Sequence, residues 1–140
     1  MFKNQLNLVP IIGMDFSMAN LKMEDASVLH TLKQGVQNDY IEGIKGVYEA
    51  FDPFAHFFLQ YGYGARTHSR GDKHDQDPCD CFAMSGDFLD PYAYTQDQML
   101  SQYEETIKAV RLALPVNART ILKYVCDMAQ MEYGTCEDVT

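Results

Sequence analysis

The stretch IIGMDFSMANL, residues 11–21, joins an apolar run to a short polar loop and decides which fold the sequence predicts. The run belongs to a longer segment, NLVPIIGMDF at 7–16, in which apolar residues follow one another instead of alternating with polar ones. Such a run, with Gly13 inside it and polar residues beyond, is typical of a strand buried on both faces of a parallel sheet. We therefore predict a strand at 7–16 and a long loop over 20–37.

Three helices are predicted where apolar residues recur every three or four positions. The first spans about 38–51 and can be capped by Asn38, the second runs from about 95 to 114, and the third starts at about 117. The residues expected to face the core are Tyr40, Ile44, Val47 and Phe51 in the first helix, Leu100, Tyr103, Ile107, Val110 and Leu114 in the second, and Ile121, Leu122, Val125 and Met128 in the third.

Two further strands and one polar loop complete the predicted order, β-α-β-β-α-α. The aromatic segment at 56–65 and the short segment at 81–85 favour strands, and 66–80 is polar throughout, which predicts an exposed loop. A chain of 140 residues is long enough for one core. We predict a single α/β domain over 1–140.

The bulk composition excludes several classes of function. The net charge of −9 argues against binding of nucleic acid or of anionic lipid. No stretch approaches the roughly 20 apolar residues of a membrane span, and the start does not have the form of a secretory signal. Four cysteines are few for a secreted disulfide scaffold, so we expect an intracellular protein, cytoplasmic or organellar.

Six motifs follow one another at family-like spacing over residues 15–125. They are DFSMAN at 15–20, LH at 29–30, NDYIEGIKGV at 38–47, YGYGA at 61–65, DPY at 90–92 and QYEETIKAVRLALPVNARTILKYV at 102–125. Together they resemble the von Willebrand factor A-type (vWA) domain of copines. The resemblance implies a partial doubly wound, Rossmann-like sheet of about three strands with two to three helices. The last strands of such a domain have no counterpart before Thr140, and neither do the C2 domains through which copines bind lipid.

The resemblance also implies a degenerate metal site at the carboxyl ends of the strands. Asp15 and Ser17 match the first two ligands of the family's metal loop, whereas Ala19 and Val116 stand where further hydroxyls are usual. Two hard oxygen ligands predict weak binding of Mg²⁺ at best. The alternative is that Asp15 accepts a hydrogen bond from the loop that follows it.

A second possible metal site is the loop H-x5-H-x4-C-x-C formed by His68, His74, Cys79 and Cys81. Two imidazoles and two thiolates suit tetrahedral zinc, although Cys-x-Cys is a tighter chelate than the usual spacing. The alternative is a solvated acidic loop, and overall no cofactor is expected.

The strand that ends at Asp15 is the predicted contact for a partner. In the family's sheet it lies between the second and fourth strands, so without a fourth strand it becomes an edge with unpaired backbone groups. We expect Leu8, Val9, Ile11 and Ile12 to bind other protein chains of a larger complex or a second copy in a homodimer.

No catalytic motif is found, and His30 and His56 are expected to be packed core histidines. The favoured function is a non-enzymatic interaction module or structural subunit. The alternatives are a metal-dependent adhesion-type binder that uses Asp15 and Ser17, and a zinc-stabilised module.

Overall fold

The chain folds as a mixed α/β structure, which confirms the predicted class. The computed structural model describes residues 8–21, 29–67 and 79–134. In chain order the elements are β1 (Ile11–Asp15), a 3-10 turn (Met18–Asn20), α1 (Asp39–Phe51), β2 (Phe58–Tyr63), β3 (Ala65–Thr67), β4 (Phe82–Ala83), β5 (Tyr92–Ala93), α2 (Gln96–Ala109), β6 (Val110–Leu112) and α3 (Arg119–Gly134).

The main sheet is built around β2. β1 pairs with β2 in parallel, with Ile11 opposite Leu59 and Asp15 opposite Tyr63. β4 and β5 are antiparallel to β2 and pair with its other side, β5 near its start and β4 near its end. β3 and β6 form a separate antiparallel pair. Within the described residues β1 therefore lies at the edge of the main sheet.

Helices pack on both faces of this sheet. Alternate residues of each strand point to opposite faces, so each face has its own apolar cluster. Met14 and Phe58 belong to one apolar cluster, which includes Ile44 of α1 and Tyr103 of α2. The second cluster joins the other face to α3, and its buried members are Leu59, Tyr61, Ala83 and Ile121. None of the described helices is long and apolar enough to cross a lipid bilayer.

The prediction that β1 is buried on both faces is wrong. Ile11 and Ile12 are half-buried, and Gly13 is exposed. The reason is the position of β1 at the edge of the sheet. The strand is also shorter than 7–16, and among the described residues upstream of it Leu8 forms an isolated bridge to Ala55.

The first helix is confirmed, including its cap, since the side-chain oxygen of Asn38 accepts a hydrogen bond from the backbone of Ile41 at 3.1 Å. Three residues expected to face inward do not, and one of them, Leu114, is 55% exposed beyond the end of α2. Phe51, in the last turn of α1, is 39% exposed, and Leu122 in α3 is 64% exposed, while its neighbour Ile121 is buried. α3 begins at Arg119, close to the predicted start at about 117, and Oδ1 of Asn117 accepts a hydrogen bond from the backbone N–H of Arg119 at 3.0 Å.

The second helix is shorter than its apolar spacing predicts. α2 ends at Ala109, and residues 110–112 form β6, so Val110 and Leu114 do not extend the helix face. The partner of β6 is β3, with Thr67 opposite Val110. The predicted polar loop at 66–80 is therefore strand at its first two residues, and 68–78 lie outside the described part of the chain.

Gly64 holds two loops together where β2 ends. Its φ of +77° lies in the left-handed region that disfavours other residues. A Cβ at this position would lie 3.0 Å from Cβ of Ser17 and 3.3 Å from Cγ2 of Val116. The loop after β1 and the loop after β6 thus meet over a residue that has no side chain.

We predict that Gly64→Ala lowers the free energy of unfolding by about 1–3 kcal/mol, because left-handed strain and crowding against Ser17 act together. Gly35→Ala is the matched control. Gly35 has a φ of +78° but no heavy atom within 4 Å of its added Cβ. Urea unfolding should show a larger loss for Gly64→Ala. Equal losses would mean that the contact with Ser17 contributes nothing.

Candidate functional site

The loop after β1 is held by hydrogen bonds between its own residues. Oδ1 of Asp15 accepts a hydrogen bond from the backbone N–H of Ser17 at 2.7 Å. Oγ of Ser17 accepts one from the backbone N–H of Ala19 at 3.3 Å. Ser17 is fully buried. The expectation that Asp15 bonds the following loop is therefore confirmed.

The residues that the resemblance assigns to a metal site lie together in space. Val116 and Ser17 both approach Gly64, so the loops after β1, β2 and β6 meet at the carboxyl ends of the strands. Ala19 and Val116 offer no side-chain oxygen. Within residues 8–21, 29–67 and 79–134 no group of three or more acidic, histidine or cysteine side chains is placed to hold a metal ion. Binding of Mg²⁺ by Asp15 and Ser17 stays the alternative hypothesis.

Half of the proposed zinc ligands can be located. His68 and His74 lie outside the described residues. Sγ of Cys79 donates a hydrogen bond to the carbonyl oxygen of Cys81 at 3.2 Å, and both thiols are half-buried. Burial raises the pKa of the Cys81 thiol, with a further contribution from Cys79. The zinc hypothesis therefore stays a prediction.

A buried polar cluster forms around the backbone carbonyl oxygen of Asp15. Nδ2 of Asn20 and Nε2 of His30 each donate a hydrogen bond to this oxygen, both at 2.8 Å. The hydroxyl of Tyr40 lies 3.3 Å from it and donates at 2.6 Å to Oδ1 of Asn20. A carbonyl oxygen has two lone pairs, so Asn20 and His30 saturate it. We call this cluster, with Asn38 and Tyr103, the Asp15 carbonyl network.

The hydrogen bonds of His30 fix its tautomer. The carbonyl of Asp15 can only accept, so Nε2 of His30 carries the hydrogen in the neutral ring. Nδ1 then accepts from the hydroxyl of Tyr103 at 2.9 Å. The imidazole ring also stacks between Phe16, at 4.8 Å between centroids, and Tyr40, at 4.0 Å.

The network continues into two helices. Nδ2 of Asn38 donates to the Tyr103 hydroxyl at 3.0 Å, and the same Asn38 caps α1. Tyr103 lies in α2 and is fully buried. The end of β1, the start of α1 and the middle of α2 are thus joined by one chain of hydrogen bonds. His30 is only 2% exposed, which confirms it as a core histidine, whereas His56 is exposed and that prediction is wrong.

Burial sets the protonation behaviour of the network. Removal from water lowers the pKa of His30, an effect that a backbone hydrogen bond and the Asp15 carboxylate oppose. Burial also raises the pKa of Tyr103, and it raises that of Tyr40 to about 12. At neutral pH the imidazole of His30 and the hydroxyls of Tyr40 and Tyr103 are therefore uncharged.

The backbone of β1 has one paired side and one open side. Pro10 accepts from Leu59 at 3.0 Å, and Phe16 donates to Tyr63 at 2.9 Å, so the even-numbered residues face β2. By the alternation of a strand, Ile11, Gly13 and Asp15 direct their N–H and C=O groups to the other side. Only the carbonyl of Asp15 is bonded there by described residues. We call the remaining groups, those of Ile11 and Gly13 and the N–H of Asp15, the open edge.

An apolar groove runs beside the open edge. Its volume is about 310 Å³, and it lies between β1 and α1. Apolar side chains form most of its wall, and Asp39 is its one acidic residue. The lining residues are Ile12, Gly13, Met14, Asp39, Tyr40, Gly43, Ile44 and Val47.

The four residues predicted to contact a partner have different environments. Ile12 lines the groove, and Ile11 packs toward α3 on the other face. Val9 is 51% exposed, whereas the backbone of Leu8 donates to Phe54 at 3.0 Å. Of these four residues, Ile11 directs its backbone groups to the open side, Ile12 contributes its side chain to the groove, and Leu8 is partly used within the fold.

Sequence reasoning identified Asp15 but missed the network around its carbonyl. Asn38 was recognised as a cap and His30 as a core residue, but nothing in the spacing links either of them to Tyr103. The available signal was chemical: His30 and Tyr103 both sit at positions predicted or expected to be buried, where polar groups need partners.

Comparison with known proteins adds no relative to this picture. No protein-family model matches the chain, and no curated protein matches its sequence.

We predict that the free energy of unfolding falls as the pH is lowered from about 7.5 to about 5.5. Since the pKa of His30 is lowered in the folded chain, the unfolded chain binds the extra proton first, and stability is lost below the ordinary value near 6.5. Urea unfolding at the two pH values measures this. His30→Gln, which keeps an amide donor but does not titrate, should reduce the dependence of the unfolding free energy on pH. An unchanged pH dependence in His30→Gln would contradict the assignment to His30.

Tyr103→Phe should lower the free energy of unfolding by about 1–3 kcal/mol, because Nδ1 of His30 and Nδ2 of Asn38 each lose a buried partner. Tyr48→Phe, at a second helical tyrosine outside the network, is the control. Urea unfolding at neutral pH compares the two. Equal effects would assign no special role to the network.

We predict that millimolar Mg²⁺ shifts the melting temperature of the wild type and of Asp15→Asn equally, because Oδ1 of Asp15 is already bonded to Ser17. The asparagine side chain can still accept that bond, so the loop is kept while the charge is removed. A saturable shift in the wild type alone would instead establish the metal-dependent alternative.

Proposed function

We propose that this chain is a non-enzymatic protein-interaction module, a copine-like vWA domain with a degenerate metal site. In this proposal it is an intracellular structural subunit that binds other chains of a larger assembly through the open edge of β1. The observation that carries the proposal is the open edge itself, which no described residue of the chain pairs.

The chemistry of the open edge supports an added strand. Backbone N–H and C=O groups at the edge of a sheet template pairing with another chain unless a protein blocks them. β1 has no proline or lysine among Ile11–Asp15, and Gly13 leaves its middle uncovered. The neighbouring groove offers an apolar site for alternate side chains of an incoming strand.

The loop chemistry supports a role without catalysis or metal. The side-chain oxygens of Asp15 and Ser17 already accept hydrogen bonds from their own loop. Both nitrogens of His30 are bonded inside the core, so this imidazole is not free to act as a base. These groups hold the end of β1 in place.

The test is site-specific cross-linking in the cells from which the sequence comes. We predict that a photoreactive benzophenone side chain at Val9, beside the open edge, gives a discrete cross-linked product, whereas the same group at Leu122, exposed on α3, does not. Identical products from both positions, or none from Val9, would contradict the proposal. A highly stable isolated monomer by light scattering and thermal melting would also count against an obligate partner.

A further inference from the structure

The environment of the open edge restricts which strand can bind there, provided that the edge is a binding site as proposed above. The geometry points to a short extended segment of a partner protein, with apolar side chains at alternate positions and with lysine or arginine beside them. Its length, its pattern and its charge each follow from a different observation.

The length is limited by the Asp15 carbonyl network. An incoming strand can pair with the N–H and C=O of Ile11 and of Gly13, and with the N–H of Asp15. It cannot continue past that point, because Asn20 and His30 already saturate the Asp15 carbonyl at 2.8 Å. The added strand therefore ends beside Asp15, and only a few of its residues are paired.

The pattern follows from the groove. Ile12 and Met14 point toward α1 and line the groove together with Ile44 and Val47. Side chains of an added strand alternate between the two faces of the sheet, so every second one lies over this groove. Valine or isoleucine at these positions would cover apolar surface that β1 and α1 leave open.

The charge follows from α1. Of the exposed carboxylates of α1, Asp39 lines this groove, whereas Glu42 lines a different groove, between α1 and α2, and is paired with Lys45 at 3.0 Å. Asp39 lies at the groove, at the end where β1 reaches Asp15. A basic segment is attracted to this surface, and a second copy of a chain of net charge −9 is repelled.

The test uses the full chain labelled with ¹⁵N and two blocked synthetic peptides of alternating valine and threonine, one with lysine at both ends and one with glutamate. We expect the lysine peptide to shift the amide signals of Ile11, Gly13 and Asp15 and to bind at least about tenfold more tightly at low salt. High salt should reduce this difference. Asp39→Asn should reduce it as well, whereas Glu42→Gln, on the side of α1 that faces α2, should not.

The matched edge variants are Gly13→Pro and Gly13→Ala. Both place a Cβ 2.9 Å from the flexible Cδ1 of Ile121, but only proline removes the N–H that faces the open edge. Gly13→Ala should keep peptide binding and Gly13→Pro should lose it, with thermal melting as the check on folding. If Gly13→Pro does not fold, an N-methylated form of the lysine peptide, which cannot pair, should fail to bind the wild type.

The outcomes separate this inference from the proposed function. Equal binding of both peptides at the open edge would overturn the basic partner and leave edge binding in place. Shifts elsewhere, or no shifts, would overturn the inference, while cross-linking from Val9 decides the proposed function. A dimer that forms with rising concentration and is lost in Gly13→Pro would identify a second copy as the occupant and would also overturn it.

Discussion

The hydrogen bonds that converge on the backbone carbonyl of Asp15 hold the rest of the structure in position. A carbonyl on the open side of an edge strand would ordinarily face water or another chain. Here Asn20 and His30 donate hydrogen bonds to it. The hydroxyl of Tyr103 in turn connects His30 to Asn38, the cap of α1. Because these groups are buried, each needs the others: a lost partner leaves an unsatisfied polar group in a site that water does not reach.

This constraint divides the outer side of β1 into two parts. The carboxyl end is closed by side chains of the protein itself, and the part from Ile11 to the N–H of Asp15 is left to pair. Natural edge strands are commonly protected by charge, proline or a bulge. β1 has the aspartate at its end but none of these devices in its middle. If a partner strand binds here, as we propose, the bonded carbonyl of Asp15 limits how far it can pair.

The sequence predicted the elements whose signals are local and missed those that depend on distant pairing. Asn38 followed by apolar residues at helical spacing predicted α1, and its cap is correct because capping is a local hydrogen bond. Val110 continued the apolar spacing of α2, so a helix was predicted where β6 forms. Val110 pairs with Thr67, which lies 43 residues earlier in the sequence, and the local spacing of apolar residues does not indicate such a distant pairing. The prediction that Leu122 faces the core was wrong for a related reason. The narrow contact of α3 with the sheet buries Ile121 and leaves its neighbour Leu122 exposed.

The candidate site, too, was predictable only where its signal is local. The motif DFSMAN pointed to Asp15. Its side chain does accept a hydrogen bond from its own loop, which was one of the two expectations for this residue. What the sequence does not display is that the group of Asp15 at the centre of the hydrogen-bond network is its backbone carbonyl, which every residue possesses. This role depends on the tertiary fold, which brings Asn20 and His30 to the carbonyl oxygen, and no residue type in the sequence indicates it. The loop that resembles a metal site closes one end of the open edge, because its side chains and His30 supply the hydrogen bonds that a neighbouring strand would otherwise provide.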